Sequence, residues 1–155
     1  MIALPERDRR ERETPVLRRC LIALNRLPGV RAVRNNNGKL QDLSGRWVAF
    51  GLGDGSADLQ CRIQITARGG VLPCVFWIEV KAEGARTSKK RAALQRMFRE
   101  EAATRGELTA QVTNEADAVR AADRFRAEYK RRLDGYPLAP CDLPSGPRAH
   151  DGDAP

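Results

Sequence analysis

Histidine is almost absent from this chain of 155 residues; the single copy, His150, lies close to the C-terminal end. Hydrolytic chemistry therefore cannot rest on an imidazole base or a histidine-rich metal cluster, which leaves carboxylates, lysine and an oxygen-bound metal. The four cysteines (Cys20, Cys61, Cys74 and Cys141) form no CxxC pair. In a chain expected in the cytoplasm, such spacing reads as separate buried thiols, neither disulfides nor zinc ligands. Long apolar runs are missing too. None approaches the roughly 20 residues of a membrane-spanning helix, so no membrane partner is expected. Residues 1–13 mix both signs of charge and hold no apolar stretch of signal-peptide type, which agrees with the cytoplasmic expectation.

What is present is a chain with 41% hydrophobic and 31% charged residues, the balance of a globular protein of one domain's length. Its net charge of +8 is unevenly spread. Residues 134–155 hold four acids and one arginine, so the part before them carries 27 bases against 16 acids, or +11. A compact unit that basic suggests a polyanionic partner, and nucleic acid is the usual one. The bland alternative is a genome whose base composition favours arginine.

The patterning predicts the order helix, strands, helix, strand, helix. Thr14 is the expected N-cap of the first helix, with Pro15 at its first position and Leu17, Cys20, Leu21 and Leu24 on one face. Pro28-Gly29 ends it, followed by a short strand over 30–33 and a polar turn from Asn35 to Gly38. Trp47 to Phe50 is an apolar run before the glycine-rich Gly51-Leu52-Gly53-Asp54-Gly55. Two strands, over 58–66 and 75–81, are joined at Arg68-Gly69-Gly70. The second is apolar on both faces until its end, as befits a central strand covered by helices. A helix over 87–104 carries Leu94, Met97 and Phe98 in its stripe; 108–112 is a last strand and 115–133 an amphipathic helix. Pro, Gly and Asp dominate from Asp134 onward and predict a mobile tail. The expected division is a charged arm (1–13), one folded domain (14–133) and the tail (134–155). The fold class is α/β, a small mixed β-sheet flanked by helices.

Glu79 and Lys81 stand out because charges at the end of a core strand are costly to bury unless paired or binding something. Alternation puts both on one face with Val75 and Trp77, opposite Phe76, Ile78 and Val80. A structural Glu–Lys pair would explain them alone. Asp58 changes the balance, since a hairpin brings it beside Glu79 and Lys81. Two converging carboxylates suit a hard cation such as Mg²⁺ or Mn²⁺. Phosphodiester hydrolysis needs such an ion, with a lysine to orient the nucleophile.

In order along the chain come Glu13, Arg34-Asn35-Asn36-Asn37-Gly38, Gly55-Ser56-Ala57-Asp58-Leu59, Glu79-Val80-Lys81 and Gln95. This series resembles the PD-(D/E)XK nuclease superfamily, and more narrowly its VRR-NUC (virus-type replication-repair nuclease) group, over Glu13 to Val119. The resemblance implies a restriction-endonuclease-like core and a metal-dependent, structure-selective DNA endonuclease. Asp58 and Glu79 would be metal ligands with the Val80 carbonyl, Lys81 would position the attacking water, and Gln95 and Glu13 would be accessory residues. Ala57 departs from the proline common at its position, and the interval from Lys81 to Gln95 is longer than usual. Gln95 lies beside the apolar stripe and could equally be solvated; Glu13 could equally be an acid favourably placed at a helix N-terminus. The resemblance also implies branched DNA as substrate, Holliday junctions included, a homodimer to cut two strands, and a phage or bacterial setting. Flaps, ends or single strands are the alternative substrates, and a non-catalytic DNA-binding protein the alternative function.

Arg34, Asn35 and Asn36 are further DNA-binding candidates, as are Lys89, Lys90 and Arg91. The last three crowd the first turn of a helix, where the dipole favours acids, so a phosphate partner is expected for them.

Overall fold

The computed structural model describes residues 7–67, 69–82 and 84–135, with side chains from Pro15 onward. Cys141, His150 and residues 136–155 of the tail expected to be mobile lie outside the described residues, while Asp134 and Gly135 are helical. The chain folds as α1 (Arg7–Asn25), β1 (Val30–Arg34), β2 (Gly38–Gln41), β3 (Trp47–Phe50), β4 (Leu59–Ala67), β5 (Gly70–Val80), α2 (Lys89–Thr104), β6 (Leu108–Val112) and α3 (Glu115–Gly135). This is a mixed α/β architecture. The main sheet has the order β1-β4-β5-β6, with β6 parallel to β5 and the other pairs antiparallel. β2 and β3 form a separate two-stranded hairpin. No helix among the described residues is long and apolar enough to cross a membrane.

The sheet's two faces follow from residue alternation. Leu59, Cys61, Ile63 and Ile65 on β4, with Phe76, Ile78 and Val80 on β5, pack against Leu17, Cys20 and Leu24 of α1 and Ala118, Ala121, Ala122 and Tyr129 of α3. Each fully buried leucine, isoleucine or phenylalanine there contributes on the order of 1.5–3 kcal/mol. Small alanines on α3 let that helix approach the sheet. Its Tyr129 hydroxyl accepts from Leu108 N–H at 2.9 Å and donates to the Val75 carbonyl, which ties α3 to the β5–β6 edge. Cys20 and Cys61 are free and buried in this core, and burial pushes the Cys61 thiol up to about 12. The other face is thinner: Ala57, Trp77 and Ala102, with Val75 and Phe98 at the margin.

Three sequence expectations are corrected. The first helix begins at Arg7, so residues 7–13 are its opening turns, Thr14 is not its N-cap, and Glu13 lies inside it. Arginine and glutamate are good helix formers, and Pro15 already has a helical φ. The helix runs through it and forgoes only the hydrogen bond for which proline has no N–H. Residues 35–37 form a loop as expected, but Gly38–Gln41, for which no strand is expected from sequence, pair with the apolar run Trp47–Phe50 as the β2–β3 hairpin. Its strands are exposed on both faces, so they lack the burial alternation that marks a strand. In α2 the inward residues are Gln95, Phe98 and Ala102, whereas Met97 is 62% exposed. The stripe is thus turned toward Gln95.

Candidate active site

β4 and β5 pair with Leu59 opposite Ile78, so the next position, Asp58, faces Glu79. Beyond that last pair, the Val80 N–H donates to Asp58 Oδ2 at 2.7 Å, and the carboxylate prolongs the ladder in place of a main-chain carbonyl. Lys81 sits just past β5, held by its own N–H donating to the Val112 carbonyl at 2.8 Å. Glu79 (7% exposed), Lys81 (7%) and Gln95 (5%) are buried together. Glu79 Oε1 accepts from Lys81 Nζ at 2.5 Å and also from Gln95 Nε2. Two strand ends and one helix thus deliver Asp58, Glu79, Lys81 and Gln95 to one place. A cavity of about 20 Å³ lies beside Glu79 and Gln95, room for a single water.

The loop that carries Asp58 is fixed by backbone and side-chain contacts. Gly55 has φ +89°, and a Cβ there would stand 2.5 Å from Leu94 Cβ and 2.7 Å from its carbonyl carbon. Only glycine both accepts that conformation and lets the loop touch α2. Ser56 Oγ donates to the Gly53 carbonyl at 2.8 Å and accepts from Asn35 Nδ2 at 2.9 Å and Asn37 Nδ2 at 2.5 Å. Asn35 also donates through Nδ2 to the Ala57 carbonyl at 2.9 Å and through its N–H to the Asp58 carbonyl at 2.8 Å. Asn35, read from sequence as DNA-binding, therefore spends its amide on positioning Asp58. Ser56 and Asn37 stand within the motif segments quoted from the sequence, but nothing in their chemistry marked them as positioning residues.

Burial pushes the Asp58 and Glu79 carboxyls above the ordinary range, and the charge of Asp58 raises Glu79 further. The Val80 N–H, Lys81, Arg91 and Arg34 oppose this at Asp58; Lys81 and Arg91 oppose it at Glu79. Asp58 Oδ1 and Glu79 Oε2 accept no hydrogen bond from the described residues. Two adjacent carboxylates, each with a free oxygen, fit a hard divalent cation that keeps several of its own waters. No group of three or more His, Cys, Asp or Glu side chains that could hold a metal ion occurs among the described residues; Asp58 and Glu79, with main-chain oxygen, are the donors this site could offer. Val80 stands at the site's edge; the Glu13 side chain falls outside the described ones.

A cleft of about 890 Å³ opens over Asp58 and Val80. Arg34, Asn36, Lys90 and Arg91 line it, whereas Lys89 does not, so the structure divides the cationic run at the start of α2. Ser88 caps that helix by accepting from Arg91 N–H at 3.3 Å, which sets the turn carrying Lys90 and Arg91. Comparison of the chain with protein-family models, curated proteins and solved structures finds no match.

Proposed function

We propose that this chain is a Mg²⁺- or Mn²⁺-dependent endonuclease that hydrolyses phosphodiester bonds in branched DNA, with a restriction-endonuclease-like core of PD-(D/E)XK type. The convergence of Asp58, which lines a basic cleft, with the buried Glu79, Lys81 and Gln95 behind it carries the reading. A lone structural ion pair would account for Glu79 and Lys81. It does not call for a second desolvated acid, Asp58, set against the first and raising its pKa, whose free oxygen is left over after the bond from Val80 N–H.

A bound divalent ion would activate water and screen charge developing on the phosphate, held by Asp58, Glu79 and the Val80 carbonyl. Lys81 keeps its ammonium on Glu79 Oε1 and orients the attacking water from there. Gln95, on the same oxygen, fixes the carboxylate's rotamer. Arg34, Lys90 and Arg91 draw the phosphate backbone into the cleft. One such site cuts one strand, so a four-way junction calls for a homodimer.

The test is incubation with labelled linear, flap and four-way DNA in Mg²⁺ or Mn²⁺. Cleavage that EDTA stops, strongest on branched forms, is expected. Cutting that survives EDTA, or tight binding with no cutting in either metal, overturns the proposal.

A further inference from the structure

We infer that the β2–β3 hairpin is a stacking platform for unpaired DNA bases, set beside the cleft and centred on Trp47. Gln41 pairs with Trp47 and Lys39 with Ala49, so alternation puts these four on one face of the ribbon. The other face holds Leu40 and Val48 and the Phe50 ring, which lies over Gly38 where a Cβ would collide with it. Trp47 is 68% exposed and makes no hydrogen bond to the described residues, while the chain's other tryptophan, Trp77, is 3% exposed and donates to Glu107. An indole left in water on a two-stranded ribbon, itself marginally stable alone, is a surface that lacks its occupant.

The charge around it says what fits. Lys39 shares the Trp47 face, and no acid lies on it. The acid in the connecting turn, Asp42, is engaged by Ser44 and Arg46, which hold its carboxyl below the usual range. The foot of the hairpin belongs to the cleft: Gly38, Lys39 and Phe50 line it together with Arg34, Lys90 and Arg91. A strand leaving the cleft would pass Lys39 with its phosphates and reach Trp47 with a base. Trp47 pairs with the far end of β2, on the order of 10 Å from the rim, or about three base steps. A duplex hides its base faces in its own stack. The ligand is therefore single-stranded DNA, or the unpaired nucleotides of a branch point.

The inference rests on the nuclease reading for the meaning of the cleft, so its test uses binding without metal. In EDTA, the part of the tryptophan emission that Trp47→Ala removes is followed as a short thymidine homopolymer, or a blunt duplex with as many phosphates, is added. Strong quenching by the single strand and little by the duplex is expected. Trp47→Ala should weaken single-strand binding by about five- to a hundredfold, the loss of one stacked base, and leave duplex binding nearly unchanged. Lys39→Glu should lower both affinity and its salt slope. Equal quenching by duplex, or no response to either DNA, overturns the inference. So does an emission shift that depends on protein concentration alone, since a second copy would then cover the face. Selective quenching in a protein that never cuts would keep this inference and remove the nuclease reading; metal-dependent cutting without quenching would do the reverse.

Discussion

The two faces of one sheet are built on opposite principles. Toward α1 and α3 the contacts are apolar and close-packed, and the charged side chains stay outside. Toward α2 a few apolar residues surround Glu79, Lys81 and Gln95, which are buried and polar. Neighbours on β5, such as Ile78 and Glu79, therefore serve different ends: the first holds the fold, while the second is a charge that folding must tolerate. Burying such charges costs more than their pairing returns unless something else uses them. The thick face supplies stability that the thin face draws on, a common division where a site is preorganised.

Swapping the roles of those neighbours breaks the comparison most sharply. Glu79→Gln should lower cleavage by orders of magnitude with a small change in melting temperature, because the amide keeps an acceptor for Lys81 but loses the charge that holds a cation. Ile78→Ala should cost about 2–5 kcal/mol of stability and leave the cleavage rate of the still-folded protein close to normal. Denaturant unfolding and cleavage assays on both variants read the two effects apart. A Glu79→Gln variant that unfolds as readily as Ile78→Ala would assign Glu79 to the structure.

Gly55→Ala tests how the thin face is held. The positive φ and the collision with Leu94 should cost roughly 1–3 kcal/mol, and cleavage should fall further than stability because Asp58 moves with the loop. Thermal melts beside cleavage rates decide it; an unchanged rate would show the loop is not a positioning element. A smaller effect is expected at the rim. Removing Lys90 and Arg91 should flatten the salt dependence of DNA binding by about two units of slope, whereas Lys89→Ala should alter it little, since Lys89 lies off the cleft.

The smallest effect is on pH. Asp58 and Glu79 have raised folded pKa values, so the folded state holds their protons more tightly than the unfolded chain. Their contribution to metal-free stability is then greatest at low pH and falls as pH rises from about 4 through the raised folded values. Glu128, exposed and held down to about 2 by Arg131 and Arg132, has the opposite sign: its contribution is present at neutral pH and lost as pH falls toward 2. The difference in melting temperature between the wild type and an Asp58→Asn, Glu79→Gln double variant should shift against the wild type as pH rises above about 4; a difference that does not change with pH would contradict it.

Much of this was legible in the sequence where burial and period agree. β4 alternates cleanly, β5 is apolar until Glu79, and the hairpin between them fixes Asp58 opposite Glu79; all three follow from the two-residue period of a strand. Gln95 was ambiguous because a helix stripe can turn by one residue at little cost in pattern, and only the contact with Glu79 distinguishes a buried amide from a solvated one. The β2–β3 hairpin had no burial pattern to show. The start of α1 was hidden because proline's preference for a first helical position does not bar it from a later one. Asn35 could be recognised as a site residue but not as a positioning one, since its partners Ser56 and Ala57 are distant in sequence.

The central claim is that the thin face keeps Asp58 and Glu79 together in order to hold a divalent cation. Titrating Mn²⁺ calorimetrically into the wild type, Asp58→Asn, Glu79→Gln and Lys81→Met tests it without any DNA. Lys81→Met should bind Mn²⁺ about as well as the wild type. Either acid variant should lose roughly a hundredfold in affinity or more, because one of two anionic donors is gone. Four folded proteins with the same Mn²⁺ affinity would contradict the claim and reduce the pair to a structural oddity of the sheet.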